Sequence, residues 1–468
     1  MAIIKSKNSR KASSRGPKTF DTNKERLLEI QEMLTENYAD MLVAVMQDAS
    51  KMGEIVNLLE KDSHFAKFGL HNNREAAVAV TREIVNLGVI DQLLQNNKDI
   101  TDIGYNGRFL TIETNSEKYT YGLKNGEAKI DDAYIMKIVK RFALREGEDG
   151  KNFSKGAPIF NGFSNNIRIS ATDPSLVAGG NITMSLRISR PKLVLTKKNW
   201  NNFADDAVYQ LLMTLVKSHA NIVISGETGT GKTELLKMLV GAIPFEDKII
   251  MIEDVAETHL AELYPKKDIY SWLTTSGGDV ASSNQKGVTI SDHIKNALRN
   301  NPKWLMISET RGAEAYEMFQ AVLSGHNLIT TLHSISNQAV PRRFVGMSSI
   351  GYPNVNEELL EEDFLSYIHL GIHIKKKIVN GRVFRFVDEL SEFVPRSKAH
   401  PNGINMLYEQ RLSEDGIFYW KTHEQTSKLT KLVRDELDFD LKWPSASGTR
   451  YALDPKTHKR LYDELHKG

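Results

Sequence analysis

Apolar residues recur along this chain in different rhythms, and each rhythm marks a region. Leu28, Met33, Leu34, Tyr38, Met41, Leu42 and Val45 return every three or four positions, the spacing of an amphipathic helix, with Thr22 and Glu25 ahead as a capping box. A second helix is predicted over 74–87, stopped by Gly88. From about Ile100 the runs become strand-like: Ile103, Tyr105, Phe109, Thr111 and Glu113 surround the tight-turn pair Asn106-Gly107. Strands over 166–172 and 182–190 and a helix over 134–144 complete a small mixed α/β domain, and the polar stretch 197–202 reads as a linker.

Beyond the linker, apolar strands at 221–225, 248–253, 304–308 and 328–332 alternate with helices at 205–217, 233–240, 291–299 and 314–323. Such alternation predicts a mainly parallel sheet with helices on both faces. A hairpin, 372–379 and 382–390 around Asn380-Gly381, closes it. From about Pro395 the pattern is less regular, with a hairpin-like piece near Gly416 and a polar, helical end. The predicted organisation is therefore a basic disordered tail (1–20), a helical extension (21–95), a small α/β domain (96–196), a second α/β domain (197–395) and a carboxy-terminal extension (396–468).

Composition narrows this picture only a little. With 468 residues, 40% hydrophobic and 26% charged, the chain is neither wholly disordered nor membrane-embedded. Lys+Arg 61 against Asp+Glu 59 gives a net charge of +2, too small for general nucleic-acid adhesion. The absence of cysteine removes disulfides, thiolate zinc sites and cysteine nucleophiles together. No window approaches the ~18 apolar residues of a spanning helix, and no signal peptide is visible, so a cytoplasmic location is expected. Lys5, Lys7, Arg10, Lys11, Arg15 and Lys18 make the first 18 residues basic without an acid, read first as a solubilising tail and second as a lipid- or partner-binding arm.

The chemistry is concentrated in the second α/β domain. Gly226-Glu227-Thr228-Gly229-Thr230-Gly231-Lys232-Thr233 is a full Walker A sequence between a predicted strand and a predicted helix, with Glu234 in that helix's first turn. Its glycines let backbone N–H groups turn around phosphate oxygens, at a helix end of positive polarity. Lys232 then offers a point charge to the β/γ-phosphates and Thr233 a hydroxyl to Mg²⁺. Glu253 and Asp254 end the next parallel strand, where they can hold Mg²⁺ through water or orient the attacking water, or else simply cap the following turn. The strand before Ser308-Glu309-Thr310-Arg311-Gly312 reads as a Walker B strand with Glu309 as the water-polarising base. Arg311 is counted with the nucleotide contacts. His326 lies at a predicted helix end and His333 ends the strand ITTLH, and two readings stay open, structural histidines or sensors on the ligand side of the sheet.

Four blocks in order, GETGTGKT, IEDVAETHL, NNPKWLMISETRGAEA and SGHNLITTLH, resemble the Walker A, acidic, Walker B and histidine boxes of the type II/IV secretion-system traffic ATPases. NLGVIDQLLQNNKDITDIGYNGR and the pair NIRIS…SLRIS resemble the same family's amino-terminal domain, so the resemblance spans roughly 84–395. It is most like the branch serving tight-adherence pilus assembly and conjugation, because the general-secretion branch often carries a tetracysteine zinc insert. The resemblance implies a RecA-like P-loop domain, ATP and Mg²⁺ as ligands, and a homohexameric ring at the cytoplasmic face of a membrane machine. Inner-membrane platform or secretion-channel proteins, peripheral membrane contact and nucleic acid as conjugation cargo follow as implied partners. It places Lys232 and Thr233 on phosphate and magnesium, Glu253 in the acidic box, Glu309 in Walker B, and His326 and His333 in the histidine box. Ser308 stands where the family usually has Gly. Arg168 and Arg187, 19 residues apart on two predicted strands, fall on the family's arginine pair, implied to reach the nucleotide's phosphates; surface arginines are the plainer alternative. A nucleic-acid translocase of RecA-like hexameric type is the alternative function, disfavoured because no basic stripe with interleaved aromatics is present.

Overall fold

The computed structural model describes residues 24–38, 41, 45, 51–85, 89–124, 127, 130–145, 153–164, 166–275, 287–414, 416–444 and 450–453. The basic tail, Thr22 of the capping box and the Gly88 stop lie outside them. The chain divides into two compact units, Met1–Ile188 and Ser189–Gly468.

In the first unit, helices α1 (Lys24–Asn37), α2 (Met52–Lys61) and α3 (Arg74–Val85) bury Ile30, Leu34, Ile55, Leu59, Ala77 and Val80 around Phe65. Helix α4 (Val89–Asn96) turns Val89, Ile90 and Leu94 toward a second core instead. That core lies under an antiparallel sheet ordered β3-β2-β1-β6-β5-β4, formed by β1 (Ile100–Tyr105), β2 (Leu110–Thr114), β3 (Lys118–Tyr121), β4 (Ile159–Ser164), β5 (Ile167–Thr172) and β6 (Thr183–Ile188). Helix α5 (Asp132–Arg145) contributes Ile135, Ile138, Val139 and Phe142 to it. Alternation decides the faces: Ile167, Ile169 and Ala171 are buried, while Arg168 and Ser170 between them are exposed.

The second unit is built on one sheet in the order β16-β15-β14-β13-β12-β7-β11-β10-β8-β9. Its parallel part comprises β7 (Ile222–Gly226), β8 (Ile249–Glu253), β9 (Ile269–Leu273), β10 (Trp304–Thr310), β11 (Asn327–Leu332) and β12 (Leu370–Val379). Strands β7 and β8 are buried at every residue, which requires cover on both faces. Helices α6 (Asp206–Lys217) and α7 (Lys232–Val240) pack with Ile222, Ile224, Met251 and Met306 on one face. Beyond the short turn α8 (Leu260–Leu263), helices α9 (Ile290–Ala297), α10 (Glu314–Leu323), α11 (Val340–Gly351) and α12 (Glu357–Tyr367) pack with Val223, Ile250, Ile252, Leu305 and Ile307 on the other.

The segment after 395 is more regular than expected, and the hairpin near Gly416 and the helix expected after it are both present. Strands β13 (Arg382–Phe393), β14 (Ile404–Leu412), β15 (Phe418–Thr422) and β16 (Arg450–Leu453) continue the same sheet antiparallel, each covering the open edge of the one before. Helix α13 (Ser427–Leu437) adds Leu429 and Val433 to the main core. At its start Lys428 donates to the carbonyls of Leu365, Ile368 and Phe393 at 2.9, 2.8 and 2.7 Å, closing the carboxyl end of α12. Burial pulls that ammonium's pKa down to about 8.

Candidate functional site

Strand β7 lies between β12 and β11 and ends in the glycine loop, so the loop opens at the carboxyl edge of a parallel sheet. The loop's shape demands glycine. Gly226, Gly229 and Gly231 have φ of 149°, 74° and 100°, and a Cβ on Gly226 would stand 2.4 Å from the Ile374 carbonyl oxygen of β12. Thr230 Oγ1 donates to the Glu227 carbonyl at 2.9 Å and pins the turn. Glu227, Thr228 and Gly229 form the exposed rim. Lys232, only 8% exposed, folds over the loop and donates to the carbonyls of Gly226 (2.9 Å) and Glu227 (3.0 Å). Thr233 follows in the first turn of α7, half-buried.

Three further motifs converge on this loop from β11, β10 and β8. His333, just past β11, receives Lys232 Nζ at 3.4 Å on Nδ1, and its Nε2 lies 2.6 Å from Glu309 Oε1. The latter contact is close but lacks hydrogen-bond alignment, and Oε1 is buried with no hydrogen-bond partner among the described residues. Glu309 Oε2 accepts from Arg311 Nη2 at 2.5 Å, and Arg311 Nη1 reaches Asp254 Oδ2 at 3.7 Å. An unbroken line of charged and polar groups thus runs Lys232–His333–Glu309–Arg311–Asp254. Burial raises the Glu309 pKa, but the Arg311 hydrogen bond and the charges of Arg311, His333 and Lys232 outweigh it and hold the carboxyl below its usual range. Glu309 is therefore ionised at neutral pH, with Oε2 held by Arg311 and Oε1 beside His333.

Two candidates face elsewhere. Both oxygens of Glu253 are engaged by the turn after β8: Oε1 accepts from the Glu257 and Thr258 amides at 3.1 and 3.0 Å, and Oε2 from the Thr258 hydroxyl at 2.7 Å. Its carboxylate is 2% exposed and burial raises its pKa, so the capping alternative describes it, and Asp254, exposed and held by Thr274 Oγ1 at 3.0 Å, is the acid that meets Arg311. Glu234 likewise turns from the loop to the Val194 amide and the Lys237 ammonium, 3.0 and 2.9 Å away.

His326 requires a correction. It precedes β11, with Nδ1 against the Ala321 carbonyl at 3.1 Å, whereas His333 follows the same strand. Seven residues at about 3.3 Å each put them some ~23 Å apart on opposite edges of the sheet. A strand carries its two ends to opposite edges of the sheet, so only His333 lies beside the glycine loop.

In the first unit, Arg168 and Arg187 are register partners on β5 and β6, and Arg187 is in turn the partner of Asp102 on β1. Arg187 Nε donates to Asp102 Oδ1 at 3.2 Å. Cations on the other flank of the glycine loop went unread in the sequence. Arg385 of β13 donates from Nε to the Gly229 carbonyl at 2.8 Å, and Lys376 Nζ of β12 stands 3.7 Å from where a Gly229 Cβ would be.

Residues 159–362 match the family model for type II/IV secretion system proteins. An uncharacterized protein of Bacillus anthracis is 39% identical over 434 residues, covering 90% of this chain and 93% of that one. The chain belongs to the type II/IV secretion system protein family. Within that family, the type IV secretion system protein VirB11 of Brucella suis is 31% identical over 161 residues, 32% of this chain and 43% of its own length. The crystal structure of the Brucella suis VirB11 ATPase with sulphate is 20% identical, covering 67% of this chain and 96% of that one at a TM-score of 0.34. Among the described residues no helix is long and apolar enough to cross a membrane.

Proposed function

We propose that this chain is the motor ATPase of a secretion, conjugation or pilus-assembly machine, hydrolysing ATP to ADP and phosphate as a homohexameric ring at the cytoplasmic face of a membrane. The observation that carries the reading is Glu309: an ionised carboxylate whose buried Oε1 lies 2.6 Å from His333 Nε2 and is joined through it to the Walker A lysine. Family membership supports the coupling to a secretion machine, and VirB11 is the relative whose name states that setting.

The residues fit a nucleoside triphosphate with magnesium. The positive-φ glycines and the N-terminus of α7 form a phosphate cradle, and Lys232 exchanges its two carbonyl partners for the stronger charge of β/γ-phosphate oxygens. Among the described residues no group of three His, Cys, Asp or Glu could hold a metal on its own, which suits an ion held by the Thr233 hydroxyl and by phosphate. When bound, Mg²⁺ neutralises charge on the phosphates. Glu309 Oε1 accepts a hydrogen bond from the attacking water and takes its proton as the water adds. Arg311 fixes the carboxylate's other oxygen, and His333 lies between base and lysine, able to report what the phosphates do. Arg168 and Arg187, which fall on the family's arginine pair, are proposed to neutralise charge on the transferred phosphoryl group.

Lys232→Ala tests the reading: it should abolish both MgATP binding and turnover, measured by titration calorimetry and phosphate release. Hydrolysis at the parent rate in that variant would remove the proposal.

A further inference from the structure

Strand β12 runs parallel to β7, with Ile374 beside Gly226. There β7 turns into the glycine loop, but β12 continues through Lys375, Lys376, Lys377, Ile378 and Val379 before the Asn380-Gly381 turn returns it as β13. The overhang carries the hairpin alongside the loop. Lys376 and Arg385 are register partners on it, and both meet the loop: Arg385 Nε donates to the Gly229 carbonyl at 2.8 Å and its Cδ lies 3.6 Å from a Cβ on Gly231, while Lys376 Nζ lies 3.7 Å from a Cβ on Gly229. Lys375, one residue away and on the opposite face, pairs with the buried Asp388 at 2.7 Å together with Arg411 at 3.0 Å. The buried Asp388 carboxylate thus anchors the hairpin on the face opposite Lys376.

The flank they occupy decides what they would touch. Glu309, His333 and Arg311 approach the loop from the β11 and β10 side, so the γ-phosphoryl end of a nucleotide belongs there. The β12 side is the opposite one. A phosphate chain crossing the loop from Glu309 therefore brings its nucleoside-proximal end to Lys376 and Arg385. From this, and resting on the ATPase reading above, we propose that Lys376 and Arg385 form a second cationic wall for the nucleotide, binding the α-phosphate that ATP and ADP share. They serve affinity for both nucleotides, and the γ-side groups serve turnover.

The test compares the full-length parent with Lys376→Ala, Arg385→Ala and Lys377→Ala, the last removing the same charge from the neighbouring position on the hairpin's other face, where Nζ donates to the Leu412 carbonyl at 3.3 Å. MgADP affinity is measured by calorimetry at several salt concentrations, with KM and kcat for ATP beside it. Loss of one charged contact is worth about tenfold in affinity. Lys376→Ala and Arg385→Ala should each weaken MgADP by about that factor, raise KM with little change in kcat, and flatten the salt dependence, because a phosphate-neutralising charge is gone. Lys377→Ala should bind as the parent does. Parent-like affinity in the first two variants would overturn the inference, as would weakened affinity with an unchanged salt dependence, which marks mere bracing of the loop. A parent chain that itself fails to bind MgADP would instead overturn the ATPase reading and this inference with it.

Discussion

Replacing Glu309 with Gln removes the base while preserving its shape. In the parent, Oε2 accepts from Arg311 at 2.5 Å and Oε1 stands buried, 2.6 Å from His333 Nε2 without alignment. The amide oxygen of Gln can keep the Arg311 bond, but its NH₂ group must then occupy the Oε1 position, where it donates and cannot take a proton from water. General-base loss costs about 10²–10⁴ in kcat, or roughly 3–5 kcal/mol on the barrier. Stability changes far less. The Arg311 contact weakens from an ion pair to a hydrogen bond from a charged donor to a neutral acceptor, about 1 kcal/mol, and relief of burying a charge offsets part of it. MgATP affinity should stay within a few-fold of the parent, since Lys232 and the loop amides are untouched. Steady-state phosphate release, calorimetric MgATP binding and a thermal melt read the three quantities separately. Hydrolysis at the parent rate with a normal melt would refute the assignment and move the base to Asp254.

Gly226→Ala should abolish nucleotide binding and lower the melting temperature, because its methyl group would meet the Ile374 carbonyl at 2.4 Å at a φ of 149°; an unshifted melt refutes the close approach. Arg168→Ala and Arg187→Ala should each lower kcat by about 10³-fold or more if they act as the arginine pair, with oligomer size unchanged on a sizing column; near-parent activity in both leaves them as surface charge. His373, 2% exposed against Ser225 Oγ at 2.9 Å, has its pKa lowered to about 4 by burial. The unfolded chain binds this proton below about pH 6.5 and the folded chain only below about 4, so stability should fall by up to about 1.4 kcal/mol per pH unit across that window. His373→Gln should flatten that part of a urea-denaturation pH series, and an unchanged slope assigns the acid sensitivity elsewhere.

The local code of this chain is explicit wherever a rule acts over a few residues. The Walker A spacing, the buried runs of β7, β8, β10 and β11, and the Asn380-Gly381 hairpin are all legible because backbone conformation and side-chain period are set by neighbours in sequence. The Arg168 and Arg187 strands were legible for the same reason, though not that the two residues are register partners.

What the sequence by itself determined, then, is that strands and helices alternate around the glycine loop, that this loop joins one pair of them, and where the acidic and histidine boxes fall along the chain. Tertiary structure alone decided which of those boxes meet. Pairing of β12 with β7, 148 residues apart at Gly371 and Val223 and their neighbours, put Lys376 and Arg385 beside the loop. Strand direction sent His333 into the site and His326 to the far edge. The turn after β8 consumed Glu253 and left Asp254 for Arg311. Each of these depends on strand order and on hydrogen bonds between residues distant in the chain, and a one-dimensional pattern specifies neither, because the same alternation of strands and helices is compatible with several orders in the sheet.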